Sequence, residues 1–292
     1  MPSSDIKPRS HAVPPRRRSL RWEIIAVAVI VVAVIVLVTG KALQKPAPAG
    51  IHVGAPAPAS VLRALAHLPP AVGAQAGAVS NVTAAVAHPS PLAVGGRPEF
   101  LYIGADYCPF CAAQRWAIVT ALDRFGSFRG IELMRSSSTD VDPSTPTFTF
   151  VHTRYKSPYI AFREVELEKN TVNAQGIYPP LQTMSASELK TLDRLDGPPY
   201  VPQSQAGSIP FVDVGGRYVW IGAGYDPGIL HGLNWSQVAA RVNRHHGSVA
   251  DAIGATADEM TAQICAVDGH KPASVCRNPA IGALEAHLPT AP

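Results

Sequence analysis

Cys108-Pro109-Phe110-Cys111 holds the residues of this chain best suited to covalent chemistry. The thiolate is the nucleophilic form of cysteine, and two sulfurs separated by two residues of a helical turn come close enough to close a disulfide. On that spacing Cys108 attacks or is attacked, and Cys111 resolves the mixed disulfide formed there. The flanking residues supply the junction such a thiolate needs. Phe100-Leu101-Tyr102-Ile103-Gly104 is a short apolar run of the kind that makes a buried strand. Beyond the cysteines, Trp116, Ile118, Val119, Leu122 and Phe125 recur at three- and four-residue steps up to Gly126, as on an amphipathic helix. Cys108 then falls at a helix N-terminus, where unpaired N–H groups and the dipole stabilise an anion, and Pro109 fits the first turn because no donor is required there. Two other readings compete: a permanent structural bridge, and half of a zinc site. Zinc needs two more ligands, and the remaining cysteines, Cys265 and Cys276, have ten residues between them instead of a knuckle. Those two read as a structural disulfide, since Cys265 ends a helical segment, Lys271-Pro272-Ala273-Ser274 turns and Cys276 returns; a relay pair exchanging with Cys108 is the alternative. Nothing in the sequence calls for a metal or a cofactor.

The elements that must position these sulfurs follow from periodicity. Ile131–Met134 is a second short strand candidate, and Phe148, Phe150 and His152 alternate with Thr147, Thr149 and Val151. Val165 and Leu167 alternate with Glu164, Glu166 and Glu168, which places the three acids on a solvent face. Phe211–Val214, Gly215-Gly216 and Arg217–Trp220 have the form of a hairpin with a two-residue turn. Asn234–Arg244 reads as a helix that Asn234 caps, Ala255–Ala266 as another, and Val61–His67 as a short one stopped by Pro69-Pro70. The order is that of one α/β domain with no internal repeat, over residues 61–285.

At the cysteines the chain resembles the thioredoxin superfamily: strand, CxxC and helix follow one another, and Asp106-Tyr107 falls where thioredoxins carry an acid and an aromatic before the nucleophile. Ile209-Pro210, leading into Phe211–Val214, matches the cis-proline that the family sets beside the sulfurs. The resemblance implies that Ile209 and Pro210 hold an extended substrate chain and that Asp106 is a buried proton acceptor for Cys111; the residues alone leave Asp106 equally a surface acid. More narrowly, the stretches YCPFCAAQRWAIVTALDRFG, TPTFTFVHTRYKSPYI, IPFVDVGGRY and QICAVDGHKPASVC resemble DUF929, a family of membrane-anchored thioredoxin-like proteins, over roughly residues 60–280. One departure from ordinary thioredoxin stands out: almost eighty residues separate the strand near 131 from Pro210, so an insert is expected around 136–205. Its strand-like alternation favours extra strands.

Charge points to location rather than to a ligand. The formal net charge is +4 at pH 7, yet six cations and two acids lie in residues 1–23, leaving 19 of each sign for the rest. A neutral body excludes a nucleic-acid binder, which needs basic residues clustered on its folded surface. The basic tip borders Ile24–Val38, 15 consecutive Ile, Val, Ala and Leu residues that Thr39-Gly40 extends, long enough for a minimal bilayer span. Lys/Arg excess marks the cytoplasmic side, so residues 24–40 read as a signal anchor with the N-terminus inside; a cleaved signal peptide is the rival reading. Residues 41–60, rich in Pro and Ala, make an extended spacer. The expected function is a membrane-tethered, extracytoplasmic thiol–disulfide oxidoreductase acting on exported proteins and recycled by a membrane or soluble redox partner. The alternative is a non-catalytic binding module whose CxxC is a fixed bridge.

Overall fold

The computed structural model describes residues 52–70, 84–87 and 91–291, and there short apolar runs form strands while longer periodic ones form helices. The first half contains α1 (Ala59–Ala66), β1 (Ala84–Ala85), β2 (Ala93–Val94), β3 (Arg97–Gly104), α2 (Pro109–Asp123), β4 (Ser127–Arg129), β5 (Glu132–Arg135) and β6 (Pro146–Thr149). Then come β7 (Arg154–Lys156), β8 (Ala161–Glu166), α3 (Ala186–Leu195), β9 (Phe211–Val214) and β10 (Tyr218–Ile221). A 3-10 turn (Pro227–Leu230) precedes α4 (Trp235–Val242), α5 (Ser248–Asp268), α6 (Ala273–Cys276) and α7 (Pro279–Glu285). The result is a mixed helix-and-sheet fold of the α/β kind.

β3 is the centre of the main sheet. β8 lies parallel on one side of it, with Gly104 level with Glu166, and β9 antiparallel on the other, with Ile103 level with Phe211. β10 and β1 continue the sheet beyond β9. Burial on both faces explains the unbroken apolar run of β3. Phe100 and Tyr102 join Val212, Val214 and Trp220 in a core with α2 and α5, while Leu101 and Ile103 join Phe211, Val165 and Leu195 on the face that α3 covers.

The strand expected near Ile131 is present as β5, which pairs with β6 in a separate ribbon, Leu133 level with Phe148, while the parallel partner of the central strand is β8. Periodicity marks both as short apolar strands, but which one docks on β3 is a non-local choice. The stretch expected as an insert, 136–205, holds β6, β7 and β8 and then α3, with β6 and β7 paired to β5 and β4. The hairpin turn has three residues, since Val214 is level with Tyr218, and Gly215 and Gly216 take φ of +66° and +72°, a region that glycine enters without a Cβ penalty. α5 begins seven residues before the expected Ala255, because Val249, Ala250 and Ile253 are buried as well.

The 41–60 spacer is folded at its end, where Gly54 N–H donates to Leu133 O at 2.8 Å and Ala57 N–H to Ile131 O at 2.8 Å. The basic tip 1–23 and the span expected over 24–40 lie outside the described residues. Among the described residues, no helix is long and apolar enough to cross a membrane.

Candidate functional site

The handover from β3 to α2 sets the two sulfurs. Cys108 is the N-cap of α2, with Pro109 at its first position, and the Cys111 N–H donates to Cys108 Sγ at 3.3 Å. Cys108 Sγ in turn faces the Ile209 carbonyl oxygen at 3.9 Å, and the Ile209–Pro210 bond is cis. Because β9 starts directly after Pro210 and pairs with β3, residues about a hundred positions apart meet at one end of the sheet. Cys108 retains 5% exposure, Cys111 none, and the intervening Phe110 is 38% exposed. Tyr107 stacks on Tyr178 at 4.2 Å between ring centroids, and the Tyr178 hydroxyl donates to Ser137 Oγ at 2.8 Å, which builds one wall beside the cysteines.

The two thiols have unlike acidities. A hydrogen bond from the Cys111 side chain holds Cys108 below the ordinary thiol value; burial opposes it, while backbone N–H groups and the Arg115 charge add to it. Burial, followed by the hydrogen bond and charge of Cys108, pushes Cys111 well above that value. Of the two, Cys108 is therefore the more readily ionised thiol and Cys111 the more firmly protonated one.

Directly beneath lies a buried ionic cluster. Arg115, fully buried, donates from Nε to Glu166 Oε1 at 2.9 Å and from Nη2 to Glu166 Oε2 at 2.6 Å, a bidentate pair with a second fully buried side chain. The same Nη2 donates to Ala105 O at 2.9 Å and lies 3.5 Å from Asp106 Oδ1. Asp106 is buried rather than a surface acid, and its pKa rises from 3.8 to about 7, through burial first and the nearby Glu166 second, with Arg115 opposing.

Sequence reasoning brought Cys108, Cys111, Asp106, Ile209 and Pro210 to one place, and the structure assembles all five there. It missed Arg115 and Glu166. α2 is not amphipathic: every residue from Cys111 to Leu122 is buried, so the arginine four positions after Cys111 required a buried acid. Glu166 does not face solvent with Glu164 and Glu168, because the end of β8 is covered by α2; Glu164 is half-buried and rises to about 7, chiefly through burial.

Cys265 and Cys276 lie at disulfide distance, 1.99 Å between sulfurs and 5.6 Å between Cα atoms, joining the end of α5 to α6. They sit at the other end of β9 from Pro210: a Cβ on Gly215, which follows β9, would meet Val267 at 3.1 Å. At about 3.3 Å per strand residue, the five steps from Pro210 to Gly215 span on the order of 16 Å, which sets the buried pair apart from Cys108. Among the described residues, no three His, Cys, Asp or Glu side chains converge as a metal site would need.

No curated protein and no solved structure matches the chain. The profile of a family described as Domain of unknown function (DUF929) matches residues 83–266, a stretch that runs from β1 through the cysteine pair and the cis-proline into α5. That match covers well over half of the 292 residues, and the chain belongs to the DUF929 family.

Proposed function

We propose that the chain carries a thioredoxin-like fold and acts as a membrane-tethered, extracytoplasmic thiol–disulfide oxidoreductase on exported proteins. The carrying observation is the unequal pair itself: a thiol of lowered pKa at a helix N-cap, its partner raised and buried, and a cis-proline carbonyl beside the first sulfur. The arrangement β3–α2–β8 followed by the β9–β10 hairpin and α5 supports the fold reading. The anchor reading rests on residues 24–40 and their basic flank.

In the reducing direction, the Cys108 thiolate attacks one sulfur of a substrate disulfide; the new S–S bond forms as the old one breaks, and the substrate's other sulfur leaves as a thiolate. Cys111 then gives its proton to Asp106 and attacks Cys108 Sγ, which closes the Cys108–Cys111 disulfide and expels the second substrate thiolate. Two electrons have passed from the dithiol to the substrate, and a dithiol redox partner restores the pair. Run backwards, the same steps insert a disulfide; the reduction potential decides the direction. Ile209 offers backbone groups to the bound chain.

The 5% exposure of Cys108 favours the second reading, a binding module with a fixed bridge. Replacing Cys111 by Ala separates the two. The variant should accumulate mixed disulfides with exported proteins through Cys108, visible on non-reducing gels and lost on reduction, while Cys108→Ala accumulates none. No adducts from Cys111→Ala would leave the binding-module reading standing.

A further inference from the structure

The proposed reaction makes an anion twice, at Cys108 and then at Cys111, and the second is formed where water does not reach. A desolvated thiolate needs donors of its own. Three elements converge on that sulfur. Cys111 and Arg115, four residues apart on α2, share one side of the helix. Tyr102 and Gly104, two apart on β3, share one face of the sheet, and Glu166 on β8 is level with Gly104. A Cβ on Gly104 would lie 2.2 Å from the Tyr102 hydroxyl oxygen and 3.1 Å from Cys111 Sγ. The missing side chain leaves a space that the phenol and the sulfur both border. The Tyr102 hydroxyl is fully buried and has no hydrogen-bond partner among the described residues, and neither has Arg115 Nη1. The guanidinium lies 5.7 Å from the Tyr102 ring centroid.

A buried hydroxyl without a partner costs stability, so its place beside a reacting sulfur asks for a function. We propose that Tyr102 and Arg115 form an anion site for the resolving thiolate of Cys111: the Tyr102 O–H donates to that sulfur once it is charged, and Arg115, oriented by Glu166, supplies the compensating positive charge. The inference rests on the oxidoreductase reading and assigns to the deep side of that site a separate task. Asp106 takes the proton, while Tyr102 and Arg115 hold the charge left behind. The Arg115 charge lowers the Cys111 pKa against the burial that dominates it, which agrees with this division.

The test uses the full reduced chain and 5,5′-dithiobis(2-nitrobenzoate), a small aromatic disulfide whose released thiolate absorbs visibly. Attack by Cys108 forms a Cys108–aryl mixed disulfide and releases one aryl thiolate. Attack by Cys111 on Cys108 Sγ breaks that bond, closes the Cys108–Cys111 disulfide and releases the second. Stopped-flow absorbance should show two phases in the unmodified chain and one in Cys111→Ala. Tyr102→Phe keeps the ring packing and removes the unpartnered hydroxyl. It should leave the first phase unchanged, slow the second about tenfold, as loss of a hydrogen bond to a charged group implies, and move its pH midpoint upward. Glu166→Gln, which leaves the Arg115 charge less neutralised, should move that midpoint downward; a packing role moves neither. Equal slowing of both phases in Tyr102→Phe, or a second phase with unchanged rate and pH midpoint, overturns the proposal and leaves the oxidoreductase reading intact. A single chain-wide absence of the first phase, in the unmodified protein, overturns both.

Discussion

Gly104 carries a steric demand that no neighbouring residue shares. A Cβ there would come within 2.5 Å of Tyr102 Cζ as well as 2.2 Å of its hydroxyl oxygen, and the ring cannot retreat, because it packs edge-on against Phe150 at 5.4 Å between centroids. Gly104→Ala should therefore destabilise the chain by about 1–3 kcal/mol, the usual cost of overpacking a filled core, and should slow closure of the Cys108–Cys111 disulfide by moving Cys111. Combining it with Tyr102→Leu removes the obstructing ring and should recover part of that cost. Urea denaturation of the two variants checks this; a Gly104→Ala chain as stable as the parent would mean that the phenol and the sulfur do not border that space. The placement of Cys108 and Cys111 at a helix start was legible at this scale because it is local, fixed by their spacing and the flanking residues. The demand at Gly104 was not, since it comes from Tyr102 two positions earlier and from a sulfur on another element.

Between elements the same contrast recurs. The β3–α2 junction and the Asn234 cap of α4, where Asn234 and Gln237 bond each other's backbone, could be read from neighbouring residues. The docking of β8 beside β3 could not, and with it went the Arg115–Glu166 pair, since a glutamate in an alternating strand reads as solvent-facing until the strand is known to be covered. That pair ties α2 to β8 beneath the cysteines, and breaking it from one side strands a buried charge. Glu166→Ala should cost about 3–5 kcal/mol, whereas Arg115→Met combined with Glu166→Leu, which removes both charges and keeps the volume, should lie near the parent in stability. The double variant separates folding from reactivity: it should unfold normally while its Cys108 thiolate forms at higher pH, because Arg115 lowers that pKa. Equal stability losses in the single and double variants would count against a buried ion pair.

Over the whole molecule, charge does two things that composition alone merges. The formal +4 resides in residues 1–23, while the remainder is balanced, so long-range steering of acidic partners is not expected of the folded part. Within it, several carboxyls are displaced from water. Burial raises Asp106 to about 7, Asp268 to about 6 and Asp213 to about 8, the last on β9 under α3, with Arg194 opposing. A carboxyl whose pKa is raised on folding binds more protons in the native state than in the unfolded one between its two values. Stability then falls as pH rises through that window, here from about 4 to 8. Glu188 runs the other way: hydrogen bonds from Arg163 and Ser185 outweigh its burial and lower it, so its contribution is lost only below its ordinary 4.5. The purified chain should consequently melt about 5 °C or more higher at pH 5.5 than at pH 8.5. Asp213→Asn, which keeps the shape and cannot ionise, should flatten that dependence and gain roughly 2–4 kcal/mol at pH 9, with little change at pH 4. Calorimetry across that range decides the matter: a melting temperature that is level or rising toward pH 8.5 would mean that these carboxyls reach water in the folded chain, and with Asp106 among them the proton acceptor assigned to Cys111 would be ionised well below neutrality.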